Sequence, residues 1–183
     1  MSNLTMARTR GFAALAIYIG SIVTANVMTV NLGLVPVGFG LLVTAGTFAA
    51  GFALLARDFV HQAGGLRLVL AGIVAGAALS WFMATPALAV ASTVAFTAAE
   101  LVDLLVFTPL RRHGFARAAL ASNVASAPVD TVAFLALAGF PLTAPAVAGQ
   151  LVGKLLWATL VPLALYVGGR RAVRREPQHA VGA

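Results

Sequence analysis

The sequence predicts an all-α integral membrane protein of six transmembrane helices with both termini in the cytoplasm. Three observations carry that reading. Hydrophobic residues make up 61% of the 183-residue chain and charged residues 9%, against roughly 45–50% and about 25% in soluble domains, and mean hydropathy is +0.97. Six apolar runs reach the length of about 20 residues that a helix needs to cross roughly 30 Å of hydrocarbon. The arginines, finally, alternate between the loops and so assign the sides of the membrane.

The six runs fall at residues 11–30, 37–56, 66–83, 86–108, 115–138 and 144–167. Turn signals separate them: Asn31-Leu32-Gly33 with Pro36, Gly64-Gly65, Thr85-Pro86, Pro109, and Gly139-Phe140-Pro141. Each supplies φ freedom or a missing N–H that interrupts a helix. The alternating ten-residue segments of a membrane β-barrel are not found. Arg8 and Arg10 precede the first run, Arg57 and Arg67 flank the second loop, Arg111, Arg112 and Arg117 flank the fourth, and Arg170, Arg171, Arg174 and Arg175 follow the last. The first, third and fifth loops hold no Lys or Arg. By the positive-inside rule the even loops and both termini are cytoplasmic. The first run exceeds the 7 to 15 residues of a signal-peptide core and is read as a retained helix.

With this topology, the net charge of +7 reflects membrane orientation, and no nucleic-acid partner is expected. The chain has no cysteine, which excludes disulfides and thiolate metal sites. His61, His113 and His179 show no metal-ligand spacing, and neither a Ser-His-Asp set nor a nucleophile elbow appears. No enzyme, metal or cofactor is therefore predicted.

The segment 1–10 reads as a frayed cytoplasmic lead. In the first helix the strongly polar side chain is Asn26, suited to an interhelical hydrogen bond or to substrate contact. The second carries Thr44, Phe48 and Phe52 on one face and Gly51 beside them; the stripe fits packing or an aromatic floor for a flat ligand. Asp58, beside Arg57 at the cytoplasmic end, reads as a loop ion pair. The third helix holds Gly72 and Gly76, a G-x-x-x-G pair for close helix approach whose small-residue surface would admit a homodimer. Trp81 near its end is expected at the interface.

The fourth helix carries Glu100 and Asp103, which face one way at i, i+3. A carboxylate at membrane depth costs roughly 2.5–3.5 kcal/mol on insertion scales, so two together mark a functional site. On the fifth helix Asn123, Ser126 and Asp130 share a face, and Pro128 is expected to kink the helix or free a carbonyl. The sixth places Gln150 and Lys154 at i, i+4, with Trp157 a turn away. Lys154 reads as the basic residue away from the cytoplasmic edge. Glu100, Asp130 and Lys154 reach similar depth, so three carboxylates and one ammonium are expected to converge on one polar locus. Fully ionised, that locus would carry a charge of about −2, which calls for a proton or a cation. An Asp130–Lys154 pair that only fixes packing is the structural alternative.

These residues, taken in order, resemble a known family. Gly46-x-Phe48-x-x-x-Phe52-x-x-x-x-x-Asp58, Glu100-x-x-Asp103 running into Pro109-Leu110-Arg111-Arg112, Ser122-Asn123, Asp130-Thr131-x-x-Phe134 and Lys154 together resemble the queuosine-precursor transporters of the vitamin-uptake-like (VUT) family. The likeness extends from Ala25-Asn26 to Tyr166, and the chain departs from the pattern at Glu100, where glutamine is common, and at Gly51, where proline is common. The resemblance implies a six-helix multi-pass transporter of the cytoplasmic (inner) membrane that imports 7-cyano-7-deazaguanine or a related purine-like base for queuosine in tRNA. It divides the chain into the lead 1–10, a transporter domain 11–168 and a basic cytoplasmic tail 169–183. The tail also suits anionic lipid.

A carboxylate matches the adjacent N–H and NH2 of a guanine-like edge, and the neighbouring carbonyl wants a donor. Glu100 or Asp103 is expected in the first role and Asn123, Gln150 or Lys154 in the second, with Phe48, Phe52 and Trp157 as the aromatic floor; Asn26 and Asp130 complete the set. Two alternatives remain. One is the substrate-binding subunit of an energy-coupling-factor vitamin importer, which would depend on partner ATPases, since the chain has no G-x-x-x-x-G-K-[ST]. The other is a cation-coupled transporter of another small solute.

Overall fold

A computed structural model describes residues 2–83 and 86–175. The chain order is α1 (Ser2–Leu32), β1 (Leu34–Gly38), β2 (Leu41–Thr44), α2 (Thr47–Met83), α3 (Pro86–Leu110), a 3-10 turn (Arg111–His113), α4 (Phe115–Leu137), α5 (Ala144–Leu151), a π-helical segment (Val152–Leu160) and α6 (Val161–Arg175). Among the described residues five helical stretches are long and apolar enough to cross a membrane. Thr85, His179 and residues 176–183 of the basic tail lie outside the described residues.

Proline and threonine start the helices where their chemistry allows. Pro86 opens α3, where a missing N–H has no helical partner to lose. Thr143 caps α5 by accepting a hydrogen bond from the Ala146 N–H at 3.4 Å. The first helix begins at Ser2, so residues 2–10, expected as a lead, are part of α1. Helix α4 runs through Pro128 without interruption.

The expected second span, 37–56, is replaced at its start by a β-hairpin. β1 and β2 pair antiparallel, Leu34 with Thr44 and Pro36 with Leu42, around a turn in which Phe39 (φ 55) and Gly40 (φ 73) both take positive φ. Positive φ at both central positions is the I′ type of turn that matches strand twist. The helix that follows begins ten residues later than expected, at Thr47. A short run rich in Val and Leu between glycines suits a strand as well as a helix.

Helix α2 reverses direction at Gly65, whose φ of 72° and ψ of −174° leave the helical region and are open to glycine without steric cost. Before the break α2 is antiparallel to α1: Gly46 packs on Ala25 and Thr29, and Gly64 lies against Gly11. After it the two run parallel, with Gly72 on Leu15 and Tyr18, Gly76 on Ile22, and Asn26 Nδ2 donating to Ser80 Oγ at 3.2 Å. The G-x-x-x-G surface is thus spent on α1 within the chain and offers no support for a homodimer.

Charged and amide side chains are buried while many large apolar side chains are exposed. Phe82, Leu105, Leu165 and Val74 are 70–78% exposed, whereas Arg57, Asp58, Glu100, Asp103 and Asn123 are fully buried. Such inversion fits lipid as the solvent around the bundle. Apolar packing surrounds the polar groups on both sides, with Tyr18, Ile22, Val60 and Val69 in one cluster and Leu55, Phe107 and Leu163 in another.

Candidate functional site

Two buried polar sites share helix α2, one turn apart. The first is a cavity of about 70 Å³ bounded by α1, the start of α2, α3, α4 and α5 with its π-helical continuation. Asn26, Thr44, Thr47, Gln150, Asp130 and Lys154 bring polar groups to it, and Phe96 and Phe134 bring rings. The second is an ion cluster centred on Arg57.

In the cavity, Lys154 Nζ lies 2.6 Å from Asp130 Oδ2 and donates to Thr131 Oγ1 at 3.0 Å. Gln150 is fixed by two threonines: Thr47 Oγ1 donates to its Oε1 at 3.1 Å and its Nε2 donates to Thr44 Oγ1 at 3.2 Å. Asn26 bonds Ser80 across to the second half of α2 and also lines the cavity.

Lys154 sits in the π-helical segment. There Thr159 Oγ1 donates to the Lys154 carbonyl, five residues back, at 2.8 Å and accepts from Asn123 Nδ2 at 2.9 Å. π-turns are rare and collect at functional sites. Gly51 makes this geometry reachable, because a Cβ there would stand 2.7 Å from Lys154 Cα and 2.8 Å from Ala158 Cβ. Its role is close approach of α2 to the widened helix.

The ion cluster holds no water-exposed atom. Arg57 Nε lies 3.0 Å from Glu100 Oε2 and Nη1 lies 3.3 Å from Asp58 Oδ1, while Nη2 contacts Asp103 Oδ2; all four side chains are fully buried. The guanidinium also rests over the Phe107 ring at 5.6 Å, and the His61 ring packs on the same Phe107 at 5.2 Å.

The single locus expected from depth is therefore two. Asn26, Asp130, Gln150 and Lys154 meet at the cavity. Glu100 and Asp103 share one face as their spacing requires, but that face turns to Arg57 and lines no part of the cavity. Asn123 is buried against Thr159 behind it. Phe48 is half-buried and Phe52 is exposed, so neither forms a floor. Trp157 is also largely exposed and donates through Nε1 to the Val37 carbonyl at 2.9 Å, tying the π segment to the hairpin. Asp58 is a buried member of the ion cluster inside α2, not a loop ion pair, and Lys154 is joined by Arg57 as a second basic residue in the interior.

Comparison with known proteins assigns the chain to a family. Residues 11–168 match the family model described as "Putative vitamin uptake transporter". The chain belongs to this family. Neither the curated proteins nor the solved structures compared with it give a match. A vitamin-uptake-type transporter is a multi-pass membrane protein that handles a small solute, and the helices and inverted polarity of this chain accord with that.

Sequence reasoning placed neither Arg57 in the buried ion cluster nor Phe96 and Phe134 at the cavity. Signals for the rings existed: Phe134 is one turn from Asp130, and Phe96 is one turn from Glu100. Arg57 was hidden by the early start given to the second helix, which left it at a loop edge. Among the described residues no group of three or more His, Asp or Glu could hold a metal ion.

Proposed function

We propose that this chain imports a flat, purine-like base of the queuosine-precursor class, such as 7-cyano-7-deazaguanine, across the cytoplasmic membrane, with the Asp130–Lys154 cavity as its solute site. The observation that carries the reading is the pairing of a carboxylate with an ammonium and a primary amide in one cavity that two phenyl rings also line. Asp130 offers two acceptors to an adjacent N–H and NH2, and Lys154 and Gln150 offer donors to the neighbouring carbonyl. Phe96 and Phe134 supply apolar faces for a ring.

Six crossings with both termini cytoplasmic are part of this proposal. The reversal at Gly65 supports counting α2 twice, and Arg10, Arg67, Arg111, Arg112, Arg117 and Arg170 fall on one side in that count. The cavity volume of about 70 Å³ is below the roughly 300–1,000 Å³ of ligand pockets, which fits a closed state that widens to admit solute. Widening is expected where the helix is least regular, at the π segment beside Gly51.

Cells lacking their own importer, given this chain, are expected to take up labelled 7-cyano-7-deazaguanine, and Asp130→Ala is expected to abolish the uptake. Uptake of none of the 7-deazaguanine bases by wild type, at normal expression, would overturn the substrate reading.

A further inference from the structure

The Arg57 cluster carries more acid than its one cation can balance. Three carboxylates against one guanidinium leave a net charge of −2 if all are ionised, in a site without solvent contact, where like charges disfavour joint ionisation. The donors are also too few. Each carboxylate turns one oxygen toward Arg57, namely Asp58 Oδ1, Glu100 Oε2 and Asp103 Oδ2. Each leaves its other oxygen buried; Asp58 Oδ2 and Asp103 Oδ1 have no hydrogen-bond partner, and Glu100 faces the Tyr18 hydroxyl. His61 Nδ1, also buried, likewise has none.

We propose that this cluster is the proton-coupling site of transport, taking up two protons on carboxylate oxygens that face away from Arg57. Protonation changes the cluster from −2 to neutral and converts an orphaned acceptor into an O–H donor. A metal cation is the poorer fit, because these side chains do not converge into a group that could hold one.

The groups facing the cluster are Tyr18 from α1, His61 from α2 and Phe107 from α3, with Asp130 of α4 and Arg111 acting on Glu100 and His61 through space. Each of three helices puts a cavity residue one turn from a cluster residue: Ile22 and Tyr18 on α1, Ala53 and Arg57 on α2, Phe96 and Glu100 on α3. A solute that draws Asp130 away from Lys154 alters the field at Glu100. The inference rests on the transporter reading of the cavity, but the protonation itself does not depend on which solute is carried.

Two measurements test it. Infrared spectra of the purified wild-type protein in lipid at neutral pH are expected to show the C=O stretch of protonated, buried carboxyl groups, weakened in Glu100→Gln and in Asp103→Asn. Absence of that band in wild type would overturn the proposal, and the measurement needs no variant to fold. In proteoliposomes, an acid-outside gradient of one pH unit is expected to raise accumulation of labelled 7-cyano-7-deazaguanine about tenfold per proton carried, and Glu100→Gln, which leaves a cluster of net charge −1, is expected to cut that response by the share of one proton. Uptake by wild type that ignores the gradient would also overturn it. A protonated-carboxyl band in a protein that takes up no 7-deazaguanine would sink the substrate reading and leave the proton site standing.

Discussion

The two polar sites on helix α2 differ in balance. At the cavity an aspartate meets a lysine, every amide and hydroxyl around Gln150 has a partner, and there is room for water. At the ion cluster three carboxylates surround one arginine, three of their six oxygens face away from it, and no atom reaches solvent. A balanced site with space suits a ligand that brings its own polar edge, because its groups can exchange one partner for another. An unbalanced, sealed site suits a small charge that enters and leaves, since its stability depends on how many protons it holds.

Replacing residues in each site separates the two most sharply at Arg57. Arg57→Leu leaves three buried carboxylates without a cation and is expected to destabilise the protein by about 3–5 kcal/mol, the usual result of breaking a buried ion pair from one side. Thermal unfolding and the yield of monodisperse protein in detergent would report it. The same substitution combined with Asp58→Asn, Glu100→Gln and Asp103→Asn is expected to recover most of the loss; no recovery would mean that Arg57 matters for packing and not for charge.

The matching change at the cavity is milder for stability and severe for function. Lys154→Met removes the partner of Asp130, whose side chain is 14% exposed, so its charge keeps some access to water. The expected cost is about 1–3 kcal/mol, with uptake lost. A loss of stability equal to that of Arg57→Leu would erase the distinction between the sites.

Gly51→Ala probes the wall between α2 and the π segment. With 2.7 Å to Lys154 Cα and 2.8 Å to Ala158 Cβ, an added methyl must push the helices apart, at about 1–3 kcal/mol. Reduced uptake with a small shift in unfolding temperature is expected. Thr159→Val is the smallest change. It deletes the hydroxyl bridge between Asn123 and the Lys154 carbonyl, with an expected cost of about 1 kcal/mol; increased exchange of backbone amides confined to 152–160 would show that the π geometry depends on it.

How much of this was legible in the sequence follows from what each signal encodes. The glycine and proline signals located the breaks at Gly65, before Pro86 and after Leu137. Spacing put Glu100 and Asp103 on one face and Gln150 one turn from Lys154. Depth along a span, however, says nothing about direction around the helix, so Glu100 and Asp130 were merged although they face different neighbours. The hairpin was missed because its turn, Phe39-Gly40, lacks the Asn-Gly or Asp-Gly signature. That miss shifted the second helix by ten residues and placed Arg57 at a membrane edge when it lies in the interior. The π segment leaves no pattern beyond Pro162, whose missing N–H frees a carbonyl of the preceding turn.

The division of labour between the two sites is tested most directly by equilibrium binding of labelled 7-cyano-7-deazaguanine to folded, purified protein. Asp130→Asn replaces a charged acceptor at the cavity and is expected to weaken binding roughly 10- to 100-fold, the range of a hydrogen bond to a charged group. Asp103→Asn, outside the cavity, is expected to change it less than about threefold. Binding lost with Asp103→Asn and kept with Asp130→Asn would contradict the account.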